Sequence, residues 1–113
     1  MDLDQLHTFL EIVRLKSFSK AALTCYRTQP AISAQIRQME QELNCSLFER
    51  LGTRIELTAA GKILSEYAGE ILDLRRRFWK HRQRFSQLLA ALGDLKKPPQ
   101  TKFRTGQQTA RAA

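Results

Sequence analysis

The residues that could do chemistry in this chain lie on one side of a short segment. Between residues 28 and 43, one helical face would hold small or polar side chains and a single guanidinium: Pro30, Ser33, Ala34, Arg37 and Gln41. Acidic residues enter this segment only near its end, at Glu40 and Glu42. Such a face suits contact with base edges in a DNA major groove, where long or acidic side chains would obstruct the approach. A purely solvated helix face would have the same pattern, so both interpretations stay open at this point.

Catalytic and metal-binding chemistry finds no support in the sequence. The glycines are scattered rather than grouped in a phosphate-binding loop. His7, His81, Cys25 and Cys45 lack the spacing of zinc ligands. We therefore expect no enzyme activity, no metal and no cofactor, and we interpret Cys25 as a small core side chain.

The net charge is positive but unevenly placed. The 113 residues contain 19 lysines and arginines against 11 acids, a formal net charge of +8. Residues 1–58 carry seven charges of each sign, whereas six cations with no acid among them fall within residues 75–84. A basic protein makes nucleic acid the first partner to consider. A DNA-binding role for residues 1–58 must nevertheless rest on where individual side chains lie.

Length and composition narrow the class of protein. A chain of 113 residues fits one small domain, which makes a large multidomain enzyme implausible. Two cysteines suit a reducing cytosol better than a disulfide scaffold, and no apolar run approaches the roughly 18 residues of a membrane span. Asp2 and Asp4 stand where a signal peptide would carry positive charge. We expect a cytoplasmic, nucleoid-associated protein.

Apolar periodicity predicts two helices ahead of the polar face. Asp2 is the N-cap of the first, and Gln5 has capping-box spacing. A second, short helix begins after Ser17 or Ser19 and runs to about Cys25. The buried stripe of the first helix is expected to comprise Leu6, Phe9, Leu10 and Val13.

The polar face belongs to a third predicted helix. Thr28 is its N-cap, Pro30 lies in its first turn, where a missing N–H costs nothing, and Asn44 ends it. A turn of three to four residues, centred on Tyr26 and Arg27, separates it from the second helix. Its buried stripe is expected to comprise Ile32, Ile36, Met39 and Leu43.

Two short segments after the third helix predict a β-hairpin. The strands are expected at 47–50 and 54–57, around Gly52. Because an isolated two-stranded hairpin is only marginally stable, its apolar residues should dock on the helices. Arg50 and Arg54 flank the tip, so the hairpin could act as a wing that touches phosphates or the minor groove.

A long fourth helix follows, with Thr58 as its cap. Apolar and basic residues alternate spacings of four and three without a break as far as Leu92, a heptad-like seam of about four heptads. Such a helix is too long to pack on the small head, so we predict that it pairs with a second helix. The expected dimerisation residues are Leu64, Ala68, Ile71, Phe78, Phe85 and Leu89.

The expected fold is therefore mainly α. Residues 1–58 should form a winged helix-turn-helix of three helices plus a two-stranded hairpin, and residues 59–94 a long dimerisation helix. Residues 95–113 show no periodicity and are predicted to be a disordered basic tail.

Five segments at consistent mutual spacing resemble the N-terminal region of LysR-type transcriptional regulators. The match runs without gaps from about residue 3 to about residue 65. The resemblance implies a bacterial transcription factor that binds pseudo-palindromic promoter DNA as a dimer, with the third helix in the major groove and the fourth antiparallel to its counterpart. The segments are Ser17-Phe18-Ser19-Lys20-Ala21-Ala22, Thr28-Gln29-Pro30-Ala31-Ile32-Ser33, Gln35-Ile36, Leu47-Phe48-Glu49-Arg50 and Leu57-Thr58-x-x-Gly61.

The resemblance also implies roles for individual residues. Gln29, Pro30 and Ser33 match groove-facing positions, and Arg37 matches a phosphate contact. Arg27 replaces a usually apolar residue and is expected to face phosphate. Ala34 stands where many members have arginine, which alters base readout, and Cys25 stands where leucine is common. The DNA-contacting residues expected in total are Ser17, Lys20, Arg27, Thr28, Gln29, Pro30, Ser33, Ala34, Arg37, Arg50 and Arg54.

LysR-type regulators continue into a larger effector-binding domain, and nothing in these 113 residues resembles it. We therefore expect no effector pocket in this chain. The favoured interpretation is a sequence-specific DNA-binding regulator that forms a homodimer and does not bind membrane. One alternative is a truncated dimerisation partner that modulates a full-length regulator. Another is a basic amphipathic helix around residues 75–85 that lies on an anionic membrane.

Overall fold

The computed structural model describes residues 1–93 of the chain, which are mainly helical with one hairpin, as the sequence predicts. The predicted tail, 95–113, lies outside the described residues. In chain order, the elements are α1 (Leu3–Leu15), α2 (Phe18–Thr24), α3 (Gln29–Leu43), β1 (Phe48–Leu51), β2 (Arg54–Leu57), α4 (Ala59–Lys80) and α5 (Arg82–Ala91).

The chain divides into two compact units, Met1–Arg75 and the part from Arg76 onward. We call the first of these the head unit. It includes most of α4 and so extends beyond the boundary at residue 58 that the sequence suggested.

Capping side chains begin the first three helices at the predicted places. The Asp2 carboxylate accepts from the backbone N–H of Gln5 at 2.8 Å, and the Gln5 side chain accepts from the Asp2 N–H at 3.1 Å. Ser17 caps α2 and Thr28 caps α3, each accepting from a backbone N–H three residues on, at 3.1 and 3.2 Å. Asn44 ends α3 in the left-handed conformation, with φ of 55°. These local contacts satisfy N–H groups that a helix terminus otherwise leaves unpaired.

The turn between α2 and α3 is tight. The N–H of Arg27 donates to the carbonyl of Ala22 at 2.9 Å. The N–H of Tyr26 donates to the carbonyl of Leu23 at 3.2 Å. Tyr26 itself has φ of 56° and is almost fully exposed. These bonds close the end of α2 and reverse the chain into α3.

The core of the head unit lies where α1, α2 and α3 meet. The residues of α1 that are completely covered include Phe9 and Ile12, whereas Leu10 and Val13 of the predicted stripe are only partly buried. Leu43, expected inside, is exposed because it occupies the last turn of α3 beside the exposed Asn44. The buried hydrophobic set is Leu6, Phe9, Ile12, Ala21, Ala22, Ile32, Ile36, Met39, Leu47 and Ala68.

The hairpin docks on this core through an aromatic residue. The Phe48 ring lies 5.3 Å from that of Phe9 on α1 and 5.6 Å from that of Phe18 on α2. The strands are antiparallel, with Phe48 opposite Leu57. Gly52, with φ of 65°, provides the left-handed residue of the connecting turn. The expectation that helices support the hairpin is therefore confirmed.

The helix after the hairpin is interrupted, contrary to the prediction of one unbroken helix through residues 59–94. α4 ends at Lys80 and α5 begins at Arg82, with His81 between them at φ −102° and ψ 9°. The Arg82 guanidinium donates to the carbonyl of Trp79 at 2.7 Å and lies 5.0 Å from its ring. A side-chain hydrogen bond to a helix carbonyl therefore coincides with the interruption between α4 and α5.

Candidate nucleic-acid interface

The first half of α3 presents its polar face to solvent. Thr28, Gln29, Pro30, Ala34 and Arg37 are exposed, and Ser33 is half-buried. The opposite side of the helix is locked into the core by its buried residues, Ile32, Ile36 and Met39. The rotation of α3 is thus fixed with the predicted polar face outward.

The beginnings of α2 and α3 are joined by a hydrogen bond. The Ser19 hydroxyl donates to Oε1 of Gln29 at 2.9 Å. The buried Ala21 and Ala22 of α2 have small side chains that permit close packing of the neighbouring helix. Ser19 was missed as a site residue because sequence reasoning treated it only as a possible cap. The bond orients the Gln29 side-chain amide at the surface.

Ser17 and Lys20, two of the expected DNA-contacting residues, lie at the start of α2. Ser17 uses its side-chain oxygen as the N-cap acceptor, and Lys20 is exposed. The Ser19–Gln29 bond brings this turn next to the start of α3. Ser17, Lys20, Thr28 and Gln29 therefore belong to one continuous part of the surface.

Arg27 is engaged within the chain itself. Its Nη2 lies 2.8 Å from Oδ2 of Asp4 in the first turn of α1, forming an ion pair. Arg27 was predicted to face phosphate, and no role was predicted for Asp4. A pair separated by more than twenty positions in the sequence leaves no periodic signal, so sequence reasoning could not find it.

The hairpin carries the two expected arginines in different settings. The Arg50 guanidinium lies 5.4 Å from the centre of the Phe18 ring, a cation–π contact. Arg54 approaches Glu56 only at 4.0 Å, and both side chains are largely exposed. An exposed pair at that distance contributes little stability, so the charge of Arg54 remains available to an external anion.

A polar cluster links α1 to the end of α2. Glu11 accepts two hydrogen bonds from Arg14, at 3.0 and 2.9 Å, and one from the Thr24 hydroxyl at 2.6 Å. The bond from Arg14, followed by that from Thr24, lowers the pKa of Glu11 to about 2. This cluster was not predicted from the sequence, although the i,i+3 spacing of Glu11 and Arg14 is a local signal for it.

The part of α4 in the head unit has two apolar faces. Ala68 is completely buried, and Leu64 and Leu72 pack against the core of the same chain. On the other face, four large side chains are 42–61% exposed, namely Ile63, Tyr67, Ile71 and Leu74. We call these four residues the α4 stripe.

This arrangement separates the expected dimerisation residues of the head unit onto two faces. Leu64 and Ala68 pack against the core of their own chain, while Ile71 belongs to the exposed α4 stripe. The four-and-three spacing could not separate the faces, because this part of the helix is apolar on both. In the second unit, the Phe78 and Phe85 rings contact each other at 5.9 Å and remain about half exposed, and Leu89 is half-buried.

The described residues contain neither a membrane-spanning helix nor a cluster of metal ligands. None of the helices within residues 1–93 combines the length and apolar character that a membrane span requires. Over the same residues, no three histidine, cysteine or acidic side chains are grouped as metal ligands.

Three helices, a hairpin and an outward polar face on α3 together define a winged helix-turn-helix module. The model of the bacterial regulatory helix-turn-helix proteins of the lysR family matches residues 3–62, and this chain belongs to that family. The HTH-type transcriptional regulator CitR of Bacillus subtilis is 41% identical over 73 residues, which are 65% of this chain and 25% of CitR. The chain spans about a quarter of the length of the curated relatives it matches.

Solved structures agree with this assignment. The DNA-binding domain of BenM, in complex with benA site 1 DNA, matches with a TM-score of 0.72 and 31% identity, over 76% of this chain and 97% of that one. DarR of Vibrio fischeri, in complex with DNA, matches with a TM-score of 0.72 and 32% identity, over 78% of this chain and 30% of that one. The expected fold class and family resemblance are confirmed.

Proposed function

We propose that this chain binds a specific sequence of double-stranded DNA, as part of transcription regulation in a bacterial cytoplasm, by inserting α3 into the major groove. One observation carries the proposal: the exposed half of α3 is short-chained and polar, and its opposite side is fixed in the core. A helix fits the width of a B-form major groove, and sequence is read there from the base edges. The structural likeness to BenM and DarR, both solved in complex with DNA, supports DNA binding by this chain.

Base reading is assigned to the first turns of α3. Gln29 can pair with adenine through its amide, and Pro30 can contact a thymine methyl group. Ser33 can bond to a base or a phosphate, and the short Ala34 leaves room for an apolar contact at a position where an arginine would reach further. Arg37, further along the same face, is assigned to phosphate.

Backbone contacts are assigned to the rim of this surface. Ser17, Lys20 and Thr28 lie around the joined beginnings of α2 and α3, and hydroxyl and ammonium groups are common phosphate ligands. Arg50 and Arg54 of the hairpin are assigned to phosphate or the minor groove. These contacts supply salt-dependent affinity and hold α3 in place, but they carry little sequence information.

The exposed α4 stripe supports a homodimer. Four large apolar side chains in a row on one helix are costly to leave in water, and a second copy of the stripe would cover them. The resemblance to LysR-type regulators implies that the two copies of α4 run antiparallel. A two-fold symmetric dimer fits a pseudo-palindromic site.

The test is selection of DNA by the protein. Duplexes bound from a random pool are sequenced. The enriched duplex and a scrambled one are then compared in gel-shift titrations between about 50 and 200 mM salt. Over this range, the DNA affinity of a protein that contacts several phosphates falls by roughly 10³ or more. We expect a two-fold symmetric sequence that binds orders of magnitude more tightly than the scrambled duplex. Equal binding to both duplexes would refute sequence-specific recognition.

The α4 stripe also favours a second function, in which the chain pairs with a full-length relative and modulates it. This function requires α4 but no DNA reading. Co-purification of the unaltered chain and of Ile71→Asp with a chosen full-length regulator tests it. Pairing that Ile71→Asp abolishes, from a chain that selects no DNA, would favour this function over the first.

A further inference from the structure

One carboxylate oxygen joins three parts of the head unit. Oδ2 of Asp4, in the first turn of α1, lies 2.8 Å from Nη2 of Arg27 and accepts a hydrogen bond from Nε2 of Gln35 at 3.0 Å. Arg27 belongs to the turn before α3, and Gln35 lies within α3. We call these three residues the Asp4 clasp.

The side-chain amide of Gln35 has this carboxylate as its hydrogen-bond partner. Its Oε1 is buried and has no hydrogen-bond partner among the described residues. The bond to Asp4 is the one hydrogen bond that its side chain makes within residues 1–93. A buried polar group that loses its partner carries the full cost of its desolvation. Asp4 therefore holds Gln35, and with it α3, in one arrangement.

The clasp brackets the residues assigned to base reading. Arg27 immediately precedes the N-cap Thr28, and Gln35 follows Ser33 by two positions. The bond from Gln35 ties the middle of α3 to α1, while the ion pair of Arg27 ties its beginning to the same point. Hydrogen bonds to base edges need donor–acceptor distances near 3 Å and good alignment. A small displacement of α3 would therefore weaken several contacts together.

We propose that Asp4 is a positioning residue for DNA recognition, setting the placement of α3 through Arg27 and Gln35 without touching DNA itself. The inference rests on the proposed function of α3. It assigns the Arg27 guanidinium to the ion pair with Asp4 and not to a DNA phosphate. Its direct consequence is that loss of the clasp lowers discrimination between DNA sequences more than it lowers general affinity for DNA.

The test uses Asp4→Asn, Arg27→Met and the double variant of the 113-residue chain. The control is Gln38→Ala, which removes another link between α1 and α3, the exposed 3.0 Å bond from Gln5, outside the bracketed residues. Each protein is titrated with the duplex enriched by the unaltered protein and with its scrambled version, over a series of salt concentrations. Thermal melting monitored by circular dichroism establishes that each variant is folded.

Asp4→Asn, which disrupts both contacts, should bind the enriched duplex about tenfold more weakly, the size of one lost base contact. Arg27→Met, which keeps the Asp4–Gln35 bond, should weaken this binding by a smaller factor. Binding to the scrambled duplex and the salt slope should stay unchanged, the double variant should match Asp4→Asn, and Gln38→Ala should behave as the unaltered protein. If Asp4→Asn proves unfolded, Arg27→Met carries the test because it leaves the Asp4–Gln35 bond in place.

The opposite pattern would overturn the proposal. If Arg27 contacts phosphate, Arg27→Met should weaken both duplexes and reduce the salt slope by about one, while Asp4→Asn should leave binding unchanged or tighten it. Failure of the proposed function itself has a different signature, since the unaltered protein would then enrich no duplex at all.

Discussion

Gly61 lies directly against the backbone carbonyl of Leu47, with no space for a side chain between them. A Cβ on Gly61 would overlap the Leu47 oxygen and would stand 2.8 Å from Cδ2 of Leu57. The same carbonyl accepts the N–H of Thr58 at 3.0 Å, and the Thr58 hydroxyl caps α4 by accepting from the Gly61 N–H at 3.0 Å. The start of α4 is thereby fixed against the segment that leads into the hairpin.

Replacement of this glycine should destabilise the head unit. We expect Gly61→Ala to lower the free energy of unfolding by about 2–3 kcal/mol, because the backbone of Leu47 must move to admit the methyl group. Gly69→Ala is the matched control, since nothing lies within 4 Å of a Cβ there and alanine is favoured over glycine in a helix by up to ~1 kcal/mol. Urea denaturation measures both. Equal stability of the two variants would contradict the close approach.

Glu11 should make stability depend on pH in the acid range. Its pKa is lowered to about 2 in the folded protein from an ordinary 4.5, chiefly by the hydrogen bond from Arg14 and then by that from Thr24. The stabilisation is therefore complete above pH 4.5 and is lost as the pH falls from there towards 2.

Glu11→Gln should lower the free energy of unfolding by about 1–2 kcal/mol at pH 7, a value reduced for the exposure of Arg14. The difference from the unaltered protein should shrink as the pH falls below 4.5 towards 2. Urea denaturation at pH 7 and pH 3 measures it, with the exposed Glu66→Gln as the control. A difference that is the same at both pH values would show that the carboxylate charge is not responsible.

The α4 stripe should control association. Ile71→Asp places a carboxylate in the middle of the stripe, and two facing copies would bring two such charges together in an apolar interface. We expect this variant to sediment as a monomer under conditions where the unaltered chain is a dimer. Lys62→Asp changes charge on the same helix at a residue outside the stripe and should remain dimeric. Dimerisation of Ile71→Asp would mean that another surface forms the contact.

Arg54 of the hairpin should contribute charge rather than sequence preference. Arg54→Ala is expected to weaken binding to enriched and scrambled duplexes by similar factors and to reduce the slope of log affinity against log salt by about one. Gel-shift titrations over a salt series measure both quantities. A loss confined to the enriched duplex would instead assign Arg54 to base reading.

Local features of the fold could be predicted from the sequence because their signals are local. Asp2, Ser17 and Thr28 each cap the helix that follows within three residues, and Asn44 ends α3 where expected. The outward face of α3 was predicted because its buried side alone carries large apolar residues, which fixes the rotation of the helix.

The features that could not be predicted from the sequence depend on contacts between distant parts of the chain. Ala68 and Ile71 have similar apolar character, and only the packing of α4 on the head shows that one is buried and the other exposed. The pair of Asp4 with Arg27 and the bond of Ser19 to Gln29 likewise require the tertiary arrangement of the helices. The break at His81 escaped prediction because the heptad-like spacing continues through it.

The most direct test of the account is the substitution Ser33→Glu, assayed by gel shift on the enriched duplex. Ser33 lies in the middle of the face assigned to the major groove, where a carboxylate would meet base edges and phosphate charge. Gln38→Glu is the control, since it adds the same charge at an exposed residue of α3 outside that face. We predict that Ser33→Glu abolishes the shift while the protein stays folded and Gln38→Glu retains it. An intact shift with Ser33→Glu would show that α3 is not the helix that reads DNA.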